Sequence, residues 1–161
     1  MQQFTLDEDI LVSHQKIYSG QILGFVVYIN FAKNRCLLER NSEISVNNTK
    51  PYETLFNLLK DGEPRIIVVK VNAEVESGTA FSETWVALWL GASGVPVYDE
   101  PKLKQAAQDI HTQLGTSGFL TLGGNDAMQL AERVTEICRK RVTRLHATPL
   151  AWSKKGGYTC C

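Results

Sequence analysis

The sequence predicts one α+β domain, a mixed sheet with an N-terminal antiparallel hairpin, packed by about three helices. The chain has 161 residues, of which 43% are hydrophobic and 21% are charged, values typical of a single globular domain. Segments rich in β-branched and aromatic residues dominate its first half, whereas helical spacing of apolar residues dominates its second half. The resulting order of strands, helix, strands, helix, strand and helix favours helices packed on a mixed sheet.

The N-terminal third predicts strands. Residues 22–29 are rich in β-branched and aromatic side chains, residues 32–34 form a turn, and residues 35–39 return as a second strand. Asn34 fits this turn because asparagine tolerates a positive φ better than most residues. Together these segments predict the antiparallel hairpin. Phe4–Val12 is expected to add another strand.

A short helix and a central strand come next. Residues 51–60 begin with a proline, which a first helical turn tolerates, and place apolar side chains at helical spacing on one face, namely Tyr52, Leu55, Phe56 and Leu59. Residues 65–71 are almost continuously apolar. This pattern is typical of a central strand covered on both faces.

The segment 81–90 fits two elements. Strand alternation places Trp85 and Trp89 on one side, while a helix beginning near Ser82 fits nearly as well. We favour the strand. Large aromatic residues usually anchor a core, so we expect both tryptophans to be buried, and a small-ligand sensor with an aromatic pocket between sheet and helix is the alternative.

The second half predicts two longer helices around a short strand. Residues 101–114 carry an apolar stripe and end at Gly115, and residues 119–122 form the strand. The last helix is expected to begin near Asn125 or Asp126, both good N-caps, with a stripe that extends to Leu145. The domain is therefore expected to span residues 1–145.

Charge is segregated along the chain. Residues 138–161 carry six basic side chains and no acidic one, although the net charge of the whole chain is zero. This pattern supports the leading hypothesis, a non-enzymatic regulatory module that binds an acidic protein through a basic, flexible C-terminal tail at 146–161 and the helix end before it. Nucleic acid is an alternative partner, and pairing with the acidic remainder of the chain is the structural alternative. The residues proposed to bind the partner are Arg139, Lys140, Arg141, Arg144, Trp152, Lys154 and Lys155.

The turn Gly123-Gly124-Asn125-Asp126 is the most suggestive local motif. Glycines before a helix N-terminus allow close approach to an anion, so Gly123, Gly124 and Asn125 are candidate anion-binding residues. The four residues resemble a block of SGNH-type hydrolases, in which the asparagine helps to bind an oxyanion. The chain lacks the Gly-Asp-Ser and Asp-x-x-His segments of those enzymes. A small hydrolase or transferase, with Asn125 as donor and His111 or His146 as base, is the alternative to the binding module.

Metal and cofactor chemistry find no support in the sequence. The three histidines show no ligand spacing, and Cys-x-x-Cys is absent, so neither a metal nor a cofactor is expected. His146-Ala147-Thr148 resembles one half of the two-histidine phosphoesterase signature, whose second half is missing.

The sequence predicts a cytoplasmic protein. The N-terminus lacks the features of a secretory signal, and no apolar run is long enough to span a bilayer. Cys36 and Cys138 fit reduced core positions. The ending Cys160-Cys161 resembles the prenylated termini of Rab-type GTPases, and membrane binding is expected only if one of these two cysteines is lipidated. The oligomeric state does not follow from the sequence.

Overall fold

The computed structural model describes residues 3–60, 63–76, 78, 80–91, 100–122, 132, 135, 142–145, 148–152 and 158–160. From residue 142 onward it describes the backbone alone. The helices are α1 (Glu8–Tyr18), α2 (Pro51–Phe56) and α3 (Glu100–Leu114), and Glu132 and Thr135 are also helical. The strands are β1 (Thr5–Leu6), β2 (Ile22–Asn30), β3 (Arg35–Leu38), β4 (Ile44–Ser45), β5 (Arg65–Val75), β6 (Ala80–Trp89), β7 (Gly118–Leu122), β8 (Val142–Leu145), β9 (Thr148–Trp152) and β10 (Tyr158–Cys160).

The described strands form a mixed sheet around β5. Strands β2 and β6 pair antiparallel with β5, and β3 pairs antiparallel with β2. Two pairs are parallel, β1 with β3 and β6 with β7. The parallel return from β6 to β7 is made through α3, as a crossover connection requires. The predicted fold class, a mixed sheet packed by helices, is confirmed.

Helices cover both faces of the sheet. The helices α1 and α3 lie on one face, where their apolar side chains meet alternate residues of β2, β5 and β6, among them Phe25, Ile66 and Val86. Helix α2 lies on the other face, where it packs against the intervening residues, among them Ile67 and Trp85. Strand β5 is therefore buried on both sides, as its apolar run predicted.

The predicted hairpin is confirmed. Strand β2 pairs antiparallel with β3 through a single 3₁₀ turn at Phe31–Lys33. Asn34 adopts a φ of 50° at the end of this turn, and the side chain of Asn30 accepts a hydrogen bond from the Lys33 amide. The strand interpretation of residues 81–90 is also confirmed, since β6 pairs with β5 along its whole length.

Two predictions are wrong, the strand at residues 4–12 and the extent of the last helix to Leu145. Residues 4–12 form only the two-residue strand β1 before α1 begins, because Ile10 and Ile17 bury one helical face against the sheet. The last predicted helix does not reach Leu145, because Val142–Leu145 is a strand that pairs antiparallel with residues 73–75 of β5. Tertiary pairing with the free end of β5 outweighs the helical spacing of that segment.

Strands β9 and β10 lie within residues 146–161. Strand β9 pairs antiparallel with both β8 and β10. The division of the chain into a domain ending at Leu145 and a tail stays a prediction.

Candidate binding surface

The outward face of α1 carries an exposed apolar patch. Leu11 is 44% exposed, Val12 is 50% exposed and Tyr18 is 86% exposed. Large apolar side chains exposed together on one helix are typical of an interaction site rather than of an ordinary surface. We call these three residues the α1 patch.

Helix α3 holds the N-terminal segment in place beneath α1. The buried carboxylate of Asp109 accepts a hydrogen bond of 2.9 Å from the backbone N–H of Phe4. The side chain of Gln113, one turn further along α3, donates to the carbonyl of Phe4 at 3.0 Å. Both main-chain groups of Phe4 are thereby satisfied by one helix. These bonds fix the position from which the chain enters β1 and α1.

Glu43 anchors α1 through a hydrogen bond and an ion pair. Glu43 accepts hydrogen bonds from the Ser13 hydroxyl at 2.7 Å and from Lys16 at 3.1 Å. Burial alone would raise the pKa of Glu43, but the bonds from Ser13 and Lys16 and the charge of Lys16 lower it. The α1 patch is therefore displayed on a helix that Glu43 anchors and whose preceding segment is anchored by α3.

Two clefts lie between α1 and the end of α3. The first has a volume of about 480 Å³ and is lined by His14 and Tyr18 of α1, Lys70 of β5 and Thr84 of β6; we call it the Lys70 cleft. The second, of about 450 Å³, is lined by the α1 patch residues Leu11 and Val12. Because His14 and Leu114 line both clefts, the two are adjacent.

Two histidines lie in this region, His14 in α1 and His111 in α3, and their surroundings differ. Burial lowers the pKa of His14 and so favours its neutral form. The Nδ1 atom of His111 lies 2.5 Å from the hydroxyl of Thr116. Within the described part of the chain, no cluster of three or more His, Cys, Asp or Glu side chains has the geometry to hold a metal ion.

Most of the site residues predicted from sequence lie outside the described residues. This holds for Gly123, Gly124, Asn125 and His146 of the proposed anion site, so its test, a histidine within reach of Asn125, stays open. His111 belongs to α3 and contacts Thr116.

The basic residues are described only in part. Arg139, Lys140, Arg141, Lys154 and Lys155 lie outside the described residues. The backbone of Arg144 lies in β8 opposite Glu74, and the backbone of Trp152 lies in β9 opposite Tyr158.

Both tryptophans of β6 are core residues, as the sequence favoured. Trp85 is 4% exposed and Trp89 is fully buried, and both belong to the cluster on the α2 face. Neither of the two clefts is lined by a tryptophan. Their indole N–H groups have no hydrogen-bond partner among the described residues.

Sequence reasoning missed the α1 patch and the Lys70 cleft because it missed α1. The sequence does contain a pattern typical of this helix. Ile10 and Ile17 are spaced i, i+7, which places them on one helical face, and Asp7 precedes two acidic residues in the first turn. Lys70 was visible only as a charged residue near the end of the apolar run 65–71.

The fold is that of a group of small α/β proteins that includes cofilins, actin depolymerization factors and coactosins. Cofilin of Streptomyces griseoflavus matches with a TM-score of 0.61 at 14% identity, covering 86% of this chain and 99% of its own. Actin depolymerization factor 2 of Plasmodium berghei matches with a TM-score of 0.63 at 13% identity, covering 85% and 97%. Coactosin of Entamoeba histolytica matches with a TM-score of 0.61 at 13% identity, covering 86% and 97%. At these identities the likeness establishes the fold.

Neither a protein-family model nor a curated protein matches the sequence. Among the described helices, none is long and apolar enough to cross a membrane.

Proposed function

We propose that this chain is a non-enzymatic protein-binding module and that actin is its first candidate partner. The observation that carries the proposal is the fold likeness, which spans 97% of the length of a protein named as an actin depolymerization factor. Fold alone does not imply function. The proposal therefore also rests on the surfaces that this chain offers to a partner.

The α1 patch is the candidate surface on the described residues. It combines two aliphatic side chains with a tyrosine, and aromatic residues are enriched among those that dominate binding energy. Glu43 holds the helix beneath it through Ser13, and Asp109 holds the segment that precedes this helix through Phe4. A preorganised surface loses less conformational freedom when it binds.

The basic C-terminal segment is a second candidate surface. It carries six basic side chains without an acidic one, which suits an acidic face on the partner. Complementary charge accelerates association and makes it sensitive to salt. The residues assigned to this surface remain those predicted from sequence, from Arg139 to Lys155.

Co-sedimentation with actin filaments, together with a monomer-binding assay, tests the proposal. Saturable binding to either form by the folded protein would support it. Absence of binding to both forms, with the folded state verified by circular dichroism, would overturn it.

Matched variants then assign the surface. Leu11→Ser with Val12→Ser should weaken binding about tenfold if the α1 patch is the contact, while Leu58→Ser, at a site that is 40% exposed on another part of the chain, should not. Replacing Arg139, Lys140 and Arg141 by alanine tests the basic segment against the exposed basic control set Lys33, Arg40 and Lys60.

A further inference from the structure

The Lys70 cleft has a polar floor where the rest of that sheet face is apolar. Along β5, Ile66 and Val68 are fully buried beneath α1 and α3, and the next residue on the same face is Lys70. Its cross-strand partner on β6 is Thr84. The helices do not cover this end of the sheet face, and a cleft of about 480 Å³ remains there. This volume lies within the range of small-molecule sites.

Lys70 is the cation on this floor. Its side chain makes no ion pair with any other residue that the structure describes, whereas Lys16, Lys50 and Lys104 each do. Glu83 also lines the cleft, but it alternates with Thr84 along β6 and shares the face of Trp85. Strand alternation therefore places Glu83 on the opposite face of the sheet from Lys70 and Thr84, which form the floor.

Two residues with hydroxyl groups line the cleft close to Lys70 along the sheet. Thr84 stands beside Lys70 across the strands, and Ser117 is held next to Thr84 by its backbone N–H, which donates to the Thr84 carbonyl at 2.8 Å. Both side chains line the cleft. One ammonium group and two hydroxyl groups are suited to the two oxygens of a carboxylate.

Part of the wall of the cleft is apolar. Ile17 and Tyr18 of α1 form one wall and Leu114 of α3 forms another. A ligand with a short aliphatic or aromatic body would cover these side chains while its charged end reached the floor. Burial lowers the pKa of His14, which favours its neutral form and leaves Lys70 as the main cation of the cleft. A single cation matches the single charge of a carboxylate better than the double charge of a phosphate.

We propose that the Lys70 cleft binds a small organic carboxylate, with the anionic group on Lys70, Thr84 and Ser117 and its apolar body against Tyr18 and Leu114. Two sources share this chemistry, a free aliphatic acid and the carboxyl terminus of a peptide. The site shares Tyr18 with the α1 patch. It does not rest on the proposed protein-binding function, since its anion-binding residues Lys70, Thr84 and Ser117 belong to neither the α1 patch nor the basic segment.

The test is a titration of the ¹⁵N-labelled full chain, followed by NMR, with hexanoate and with N-acetyl-leucine. Hexanoate represents the free acid and N-acetyl-leucine represents the peptide terminus, so the tighter binder identifies the source. We expect saturable shifts of the amides of Tyr18, Thr84 and residues 115–117. Hexanamide and N-acetyl-leucinamide have the same apolar bodies without the charge, and we expect them to bind about tenfold more weakly.

Two variants complete the test. Lys70→Met keeps the aliphatic stem and should weaken binding of the preferred acid about tenfold, whereas Lys33→Met, at an exposed site outside the cleft, should leave it unchanged. An unperturbed spectrum away from the cleft verifies that each variant is folded. The proposal is overturned if neither acid gives saturable shifts, if the amides bind as tightly as the acids, or if Lys70→Met binds as tightly as the parent chain.

Discussion

The hydroxyl of Tyr52 accepts a hydrogen bond of 2.9 Å from the backbone N–H of Asn72 and donates one of 2.9 Å to the carbonyl of Lys70. These groups lie on the edge of β5 between two pairing partners. Strand β2 pairs with residues 66–69, and β8 pairs with residues 73–75. A side chain from α2 thus replaces the missing strand at the junction of the sheet, and so links α2 to both halves of β5.

Tyr52→Phe should destabilise the protein by about 1–3 kcal/mol, because two part-buried main-chain groups lose their partner. Chemical denaturation measures the free energy of unfolding. Tyr18→Phe is the matched control, since Tyr18 is 86% exposed, and it should change stability little. A stability of Tyr52→Phe equal to that of the parent would show that water or another group satisfies Lys70 and Asn72.

The same hydroxyl predicts a pH dependence. Burial raises the pKa of Tyr52 to about 12, with a smaller opposing effect of the bond from Asn72. The folded state therefore holds this proton more tightly than the unfolded state, whose tyrosine titrates near its model value of 10.0. The contribution to stability is complete below pH 10 and is lost as the pH rises through 12. Denaturation of the parent and of Tyr52→Phe across this range should show a smaller alkaline loss in the variant.

Asp109→Asn should destabilise the protein by about 1–3 kcal/mol and loosen the N-terminal segment. The carboxylate accepts from both the Phe4 amide and the Gln105 side chain, and an asparagine offers only one oxygen to these two donors. Hydrogen exchange at Phe4 and Thr5 reports the local effect. Gln108→Ala on the exposed side of α3 serves as the control. Unchanged exchange at both amides would contradict the role assigned to Asp109.

Gly118→Ala should be destabilising by about 1–3 kcal/mol because an added methyl group would overlap the indole ring of Trp85. The two residues are opposite each other in the parallel pair of β6 and β7. A double-mutant cycle with Trp85→Leu isolates the steric effect. The cost of Gly118→Ala should fall in the Trp85→Leu background, and an equal cost in both backgrounds would show that the backbone, and not the ring, resists the substitution.

Glu43→Gln should reduce the loss of stability in acid. Burial by itself would raise the pKa of Glu43 in the folded state. The hydrogen bonds from Ser13 and Lys16, with the charge of Lys16, together lower it below its ordinary value. Its contribution is therefore present above the model value of 4.5 and is lost as the pH falls through the folded pKa. The effect is small because the side chain is 30% exposed. Glu53→Gln, at the exposed pair with Lys50, is the control, and identical acid profiles of the two variants would contradict the prediction.

The sequence by itself determined the elements whose burial pattern is local. The apolar run 65–71 specified a strand covered on both faces, and the spacing of Leu103, Ala106 and Ile110 specified α3. Asn34 marked the hairpin turn because few residues tolerate its φ of 50°. In each of these segments the periodicity of side chains and the chemistry of the turn point to the same element.

The tertiary structure alone decided the rest. Helix α1 and strand β8 depend on partners far away in sequence. The position of α1 depends on Glu43 and, through the segment before it, on Asp109. Strand β8 depends on its pairing with residues 73–75. The Lys70 cleft exists because α1 and α3 end before they cover the far end of β5, which no local pattern records. Contacts between distant segments determine where the core ends and where the clefts lie. The reason is that a side chain becomes buried only when the sheet and its helices pack together.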